Sequence, residues 1–264
     1  MMARVIPFYL PTSKETLSAV ATLPADEALK GPAVVMLPGD VVARARVSLL
    51  HHVGQDLAER GQPVLRFDYP GAGLAPTEVV PPKHEAAEIV TEAAEWFLSA
   101  TGLDGAAVAG TCMGAHLALM TAAQGARVET VVAIGCPIKP RHKSRSRVRS
   151  SIAALDSIGT KVASRLTKGR HRDLGEGAYR EVIDSIEGAA KHARLTFVYG
   201  EDDEFLDDFV QLKDSDELTP STRENLELSV LPGGSVRGVS GIKDYDVIRR
   251  LMVDSLSRGA GSQA

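Results

Sequence analysis

Gly110-Thr111-Cys112-Met113-Gly114 is the stretch that decides the fold of this chain. It directly follows a short apolar run at residues 105–109 and precedes an Ala- and Leu-rich helical pattern that ends near Ala123. A nucleophilic side chain between two glycines, at a junction of strand and helix, is typical of a sharp turn that exposes this side chain. The glycines are needed because a side chain beside such a strained residue would clash. The stretch therefore predicts that Cys112 is exposed at the top of a sheet, where its strand ends.

Apolar runs of strand length recur on both sides of this turn. The first two are joined by the turn-forming Pro11-Thr12-Ser13-Lys14 and predict an antiparallel hairpin. The predicted strands are residues 5–10, 17–23, 33–37, 63–67, 105–109, 128–134, 194–199 and 226–231. Helical patterns separate several of them, at about residues 47–60, 84–99 and 113–123, and a last one follows at 243–257. This alternation predicts an α/β fold with a mostly parallel central sheet and helices on both faces.

Length and composition fit one α/β domain. The chain has 264 residues, of which 44% are hydrophobic and 24% charged, as in ordinary globular proteins. Its two cysteines cannot form a disulfide framework and lack metal-ligand spacing, so we expect reduced thiols, no metal and no cofactor. The sequence starts without an apolar signal segment and contains no run of about 18 apolar residues. We therefore expect a cytoplasmic protein without a membrane span.

A long segment separates the strand that ends near Ile134 from the one that begins near Arg194, and it is too long for a plain connection. We expect residues 137–191 to form a helical cap, residues 1–136 and 192–258 to form the core, and residues 259–264 to be a disordered tail. The cap is basic, and its first part contains Lys139, Arg141, Lys143, Arg145, Arg147 and Arg149. This basic surface is either a solvated helix face or a binding site for an anionic partner. A net charge of -4 and an aromatic content of 5% argue against nucleic acid as that partner.

Together with the cysteine turn, three further motifs resemble those of the α/β-hydrolase superfamily. Leu37-Pro38-Gly39 is similar to the oxyanion loop of that family, Asp68-Tyr69-Pro70-Gly71-Ala72-Gly73 to its Asp-x-x-Gly-x-Gly turn, and Gly200-Glu201-Asp202-Asp203 to its acid-bearing turn. The resemblance covers most of the chain. More narrowly, the hairpin, Arg66-Phe67-Asp68-Tyr69 and the elbow cysteine are similar to hydrolases associated with the exosortase A system.

The resemblance implies an α/β-hydrolase fold with a helical cap insertion, and it assigns roles to residues of this sequence. Cys112 would be the nucleophile, and the amide of Met113 would form an oxyanion hole with that of Gly39 or Asp40. Asp203 would be the triad acid, with Asp202 as the alternative. A free cysteine can equally serve as a small buried apolar residue, and a pair of aspartates can cap a turn.

The family's catalytic histidine is missing from its expected position. The loop after the last strand, residues 231–240, contains no histidine, and none of the seven histidines lies beyond residue 192. A thiolate, unlike a serine hydroxyl, is nucleophilic without a base, and a helix N-terminus favours it further. His116, four residues after Cys112, and His142, at the start of the cap, are the candidates for a relocated base. Either of them can instead be a packed or a solvated residue.

We therefore expect an acyl-transfer enzyme, thioesterase-like or acyltransferase-like, that forms a thioester on Cys112. Its substrate would be a small acyl thioester or ester, and Arg141, Arg145 and Arg147 would bind an anionic carrier, either coenzyme A or an acyl carrier protein. Because water needs a base to activate it for deacylation, transfer to an amine, hydroxyl or carbon acceptor would compete with hydrolysis. The alternative is a catalytically reduced relative that binds an acyl ligand or a partner, or that guides a non-hydrolytic cyclisation.

Overall fold

The computed structural model of the chain describes residues 3–25, 29–39, 48–70, 81–125, 127–139, 176–232 and 245–257. Several predicted site residues lie outside these ranges, namely Asp40, Arg141, His142, Arg145 and Arg147. Most of the expected cap and the expected tail at residues 259–264 also lie outside them.

An eight-stranded sheet forms the centre of the described structure. Its strands are β1 (Arg4–Pro11), β2 (Thr16–Leu23), β3 (Ala33–Leu37), β4 (Val64–Phe67), β5 (Ala106–Thr111), β6 (Val128–Ile134), β7 (Arg194–Gly200) and β8 (Leu226–Leu231). They lie side by side in the order β1-β2-β4-β3-β5-β6-β7-β8. β2 pairs antiparallel with both β1 and β4, and the remaining neighbours are parallel. The predicted hairpin and the predicted mostly parallel sheet are thus confirmed.

The central strands are buried because helices cover both faces of the sheet. β3, β4 and β5 are buried at every residue, and their sequences are apolar almost throughout instead of alternating with polar residues. Successive side chains of a strand point to opposite faces. Val34 and Met36 accordingly belong to one buried cluster, whereas Val35 and Leu37 belong to the other.

The helices of the described ranges divide between these two faces. They are α1 (Ser48–Glu59), α2 (Lys83–Thr101), α3 (Met113–Ala123), α4 (Glu176–Ala190), α5 (Leu206–Asp214), α6 (Pro220–Glu224) and α7 (Tyr245–Ser257). α1 and α7 share the cluster of Val34, and α2, α3, α4 and α5 share the cluster of Val35. None of the helices described combines the length and the apolar character that crossing a bilayer requires.

α4 and α5 differ from the expectation, and the short helix α6 is not predicted. α4 falls within the expected cap, but it packs on α3 and buries Val182, Ile183 and Ile186 in the core cluster. The apolar residues of α4 recur at helical spacing, which gives it one face for burial. α5 is not predicted by the sequence patterns, because the acidic run there reads as a turn. Asp207 and Asp208 instead lie in its first turn, where negative charge favours a helix.

Candidate active site at the cysteine elbow

Cys112 lies between β5 and α3 in a backbone conformation that residues other than glycine rarely adopt. Its φ is 52° and its ψ is -115°, and no other non-glycine residue in the described ranges has a positive φ. Such strain costs about 1–3 kcal/mol and persists only where the surroundings impose it. Here the N–H of Cys112 donates to the carbonyl of Ile134 on β6 at 2.8 Å, and its carbonyl accepts from the N–H of Ala115 at 3.1 Å. The half-buried Cys112 side chain is therefore held in a sharp strand-to-helix turn.

The glycines of the elbow are required by backbone contacts. A Cβ atom at Gly110 would lie 2.1 Å from the carbonyl oxygen of Gly114. A Cβ atom at Gly114 would lie 2.5 Å from the carbonyl oxygen of Pro38 and 2.7 Å from that of Leu37. All three distances are shorter than real Cβ contacts, and the atoms met belong to the backbone, which cannot rotate away. β5, α3 and the loop after β3 thus meet at positions where only glycine fits.

The loop after β3 also reaches Cys112 itself. A Cβ atom at Gly39 would lie 3.4 Å from the carbonyl oxygen of Thr111 and 3.5 Å from the Cβ of Cys112. Met113, the residue after Cys112, is the first residue of α3, and the first amides of a helix have no intrahelical acceptor. Gly39 and Met113 therefore both lie next to Cys112. Backbone amides in this arrangement can stabilise a developing oxyanion.

The two candidate acids follow β7 and differ in burial. Asp203 is 5% exposed, whereas the side chain of Asp202 faces solvent. Oδ1 of Asp203 accepts a hydrogen bond from the N–H of Phe205 at 3.1 Å, just before α5 begins. β7 is two strands away from β5, which separates the strand ends by about 10 Å. The turn-capping contact is therefore present at Asp203, and a gap of this size separates it from the elbow.

His116 lies on α3 and makes its contact with α4 instead of with solvent. It is 3% exposed, and its Nε2 lies 3.4 Å from Oγ of Ser185. Burial, followed by the nearby charge of Lys83, lowers the pKa of His116 to about 4, although Glu181 partly opposes this shift. A general base works best when its pKa is near the operating pH. This environment favours a role for His116 in joining α3 to α4.

Cys136 is a second thiol close to the elbow, and it is fully buried two residues after β6. Burial raises the pKa of the Cys136 thiol, and Cys112 adds to this shift. Its carbonyl accepts a hydrogen bond from the hydroxyl of Tyr199 at 2.9 Å. Neither thiol belongs to a metal-binding group, since no three His, Cys, Asp or Glu residues within the described part of the chain lie close enough to hold an ion.

A cavity of about 40 Å³ lies directly beside the elbow. Met113 and His116 of α3 form one side of it, and Lys83 of α2 and Lys139 of the segment after β6 complete the polar part of its wall. A larger concavity of about 500 Å³ is an open groove between the second half of α3 and α4, around Met120 and Arg180. Met120 is seven residues beyond Met113, or about 10 Å along the helix. The smaller cavity, which Met113 lines, is therefore the nearer of the two to Cys112.

The fold recurs in solved structures along nearly the whole chain. An esterase of Pyrococcus furiosus is 16% identical, with a TM-score of 0.71 and coverage of 98% of this chain and 92% of its own. The α/β-hydrolase GrgF of Penicillium sp. sh18 is 18% identical, with a TM-score of 0.68 and coverage of 97% and 99%. The thioesterase domain from the curacin biosynthetic pathway is 14% identical, with a TM-score of 0.60 and coverage of 95% and 99%. No curated protein matches the sequence.

The sequence itself carries the family signal. Residues 32–176, more than half of the chain, match the sequence model of the alpha/beta hydrolase fold. This match includes β3, β4, the strained turn after β5, and β6. The chain therefore belongs to the α/β-hydrolase fold family.

Proposed function

We propose that the protein is an acyl-transfer enzyme that carries the acyl group as a thioester on Cys112. The observation that supports this most is the strained backbone of Cys112, with its φ of 52° at the start of α3. Strain of this kind is retained mainly at functional sites. The position also places Cys112 at the N-terminus of α3, whose first amides have no intrahelical acceptor and can stabilise negative charge that develops during the reaction. The names of two structural neighbours, an esterase and a thioesterase domain, agree with an acyl substrate.

In the proposed first step, the Cys112 thiolate attacks the carbonyl carbon of an acyl thioester or ester. A C–S bond forms, and the carbonyl electrons move onto oxygen, where the amides of Met113 and of Gly39 or Asp40 stabilise the negative charge. The intermediate then collapses, and the thiolate or alkoxide leaves and takes a proton from solvent. An amine, hydroxyl or carbon acceptor finally attacks the thioester carbonyl and gives its proton to solvent, and the C–S bond breaks to release Cys112 as the thiolate.

The missing base determines which acceptor is used. Residues 231–240 contain no histidine, and the contacts of His116 favour packing, so neither of these places supplies a base that could activate water. We therefore propose that deacylation by water is slow and that transfer dominates. Asp203 remains our choice over Asp202 as the acid, because its carboxylate is buried at the carboxyl edge of the sheet. His142 stays the second candidate for a relocated base.

We further propose that the carrier of the acyl group is anionic, either coenzyme A or an acyl carrier protein. This part rests on the basic sequence around Arg141, Arg145 and Arg147. Replacing Arg145 and Arg147 by Ala should weaken carrier binding, and more so at low ionic strength, because salt screens such contacts. An affinity that responds neither to the mutations nor to salt would leave this basic stretch as a solvated surface.

The decisive experiment is intact-protein mass spectrometry after incubation with acyl thioesters. We expect a single acyl adduct that maps to Cys112 and that persists in water much longer than the time it takes to form. Cys112→Ser should be almost inert, because a hydroxyl gains little from a helix dipole worth about 0.3–1 kcal/mol. Cys136→Ala is the matched control and should acylate like the wild-type protein, since Cys136 is fully buried.

Two other outcomes would change the assignment. If His116→Gln or His142→Ala slows acylation by more than about a hundredfold, the range of a general base, then a relocated base exists and hydrolysis becomes the better description. If no adduct forms with any thioester while acyl ligands still bind, the protein is a binding relative or guides a non-hydrolytic cyclisation. The empty histidine position in residues 231–240 is the observation that favours this second candidate.

A further inference from the structure

The cavity beside the elbow has apolar walls and two cationic side chains. Pro137 and Ile138, which follow Cys136, form part of the wall, and so does Val182 of α4. Lys83 and Lys139 contribute the charged groups. Met113 is both a wall residue and the neighbour of Cys112, so the cavity lies close to the proposed nucleophile.

The two lysines differ in how their charge is compensated. Nζ of Lys83 lies 2.8 Å from Oε2 of Glu181, so these two charges largely cancel. Nζ of Lys139 donates to Oε1 of Gln211 at 3.0 Å and lies 5.8 Å from the centre of the Tyr179 ring. Within the described part of the chain, both of these partners of Lys139 are neutral. Among the described residues no carboxylate pairs directly with Lys139, although Tyr179 itself donates to Glu217, so Lys139 is the cation of this wall that can still pair with an anion.

The histidine of the wall does not offset that charge. Nε2 of His116 lies 3.4 Å from Oγ of Ser185, whose hydroxyl donates to the carbonyl of Glu181 at 2.7 Å. Because burial lowers the pKa of His116 to about 4, its imidazole is neutral near neutral pH and adds no charge to the cavity. A positive group in a small, mostly apolar space is suited to a single carboxylate.

We infer that this cavity binds a carboxylate at the far end of the acyl group, so that the preferred substrates are short acyl chains that end in a carboxylate. The volume of about 40 Å³ holds about three water-sized groups, which matches the three heavy atoms of a carboxylate. Lys139 is the residue that pairs with it. This inference rests on the proposed acyl transfer at Cys112 and adds a substrate class to it.

The test compares two thioesters of N-acetylcysteamine, which carry no charge on the thiol portion. Malonyl and isovaleryl groups have the same branched shape and differ in charge, so the pair isolates the carboxylate. We expect the malonyl thioester to acylate Cys112 at least about tenfold faster, which corresponds to one favourable charge contact of about 1.4 kcal/mol. Lys139→Gln should lower the ratio of the malonyl to the isovaleryl acylation rate by about fivefold to tenfold. This loss corresponds to roughly the free energy of the one charge contact. Lys139→Arg should keep the preference, and Lys191→Gln, an exposed lysine beyond α4, is the matched control.

A binding measurement separates this inference from the proposed function. Cys112→Ala should bind monoethyl malonate more tightly than ethyl isovalerate by ligand-observed NMR, and Lys139→Gln should abolish the difference. If Cys112 acylates with both thioesters at equal rates and Lys139 has no influence, the carboxylate site is wrong while acyl transfer stands. If no thioester forms an adduct but the Lys139-dependent binding persists, acyl transfer is wrong while the site stands. If neither is observed, both fall.

Discussion

A Cβ atom on Gly39 would lie 3.5 Å from the Cβ of Cys112. The loop after β3 and the elbow after β5 therefore approach each other closely at the proposed nucleophile. The φ of Gly39 does not require glycine, and the atoms nearest to a Cβ built on Gly39 lie at ordinary contact distance. Its small size instead keeps a space open beside Cys112.

This contact predicts that Gly39→Ala separates folding from activity. The added methyl group meets its nearest atom at 3.4 Å, so the melting temperature should change little. The same methyl group occupies space next to the forming oxyanion, and acylation of Cys112 should slow by at least about tenfold. Thermal unfolding and acylation rates measured by mass spectrometry check both halves. A wild-type acylation rate would place the oxyanion site elsewhere.

Gly110, the glycine before the elbow cysteine, should tolerate substitution by alanine far less well than Gly39. Gly110→Ala brings a Cβ within 2.1 Å of the carbonyl oxygen of Gly114, and the backbone of α3 would have to move. We expect a loss of more than about 4 kcal/mol in the free energy of unfolding, or failure to fold. Gly177→Ala is the matched control, because nothing lies within 4 Å of its Cβ position on α4. That change should stabilise the protein by up to about 1 kcal/mol in urea unfolding.

The two thiols should differ strongly in reactivity. Cys112 is half-buried at the elbow, whereas Cys136 is fully buried and burial raises its pKa. Iodoacetamide should therefore modify Cys112 first in the native protein, and Cys136 only after unfolding, because the thiolate is the reactive form. Peptide mass spectrometry at several times of reaction gives the order. Equal rates, or modification of Cys136 first, would contradict the arrangement of the elbow.

The buried His116 should make stability depend on pH. Its pKa is lowered to about 4 in the folded protein, so the unfolded chain binds the extra proton more readily between that value and its usual pKa of about 6.5. The stabilisation is fully present above pH 6.5 and is lost as the pH falls toward 4. Between pH 7 and pH 5 the wild-type protein should lose about 2 kcal/mol more than His116→Gln, whose amide can still contact Ser185. Urea unfolding at both pH values measures the difference, and parallel curves would show that His116 titrates normally.

The sequence alone determined the core of the fold and its elbow, because both depend on local features of the chain. Apolar runs of strand length and the helical patterns between them predicted every strand of the described sheet to within about two residues. Gly110 and Gly114 marked the strained turn at Cys112, since only glycine fits where two backbones touch. The absence of histidine from residues 231–240 is also a property of the sequence, and no coordinate is needed to see it.

The tertiary structure decided which side chains meet. Asp202 and Asp203 are neighbours in the sequence, and only the packing of the turn after β7 buries one and exposes the other. α4 is part of the core because its apolar residues pack against those of α3 and are buried there. Lys83 and Lys139 are 56 positions apart, yet they share one cavity wall beside the elbow. Burial and charge compensation depend on neighbours from distant elements, and these neighbours exist only after the chain has folded.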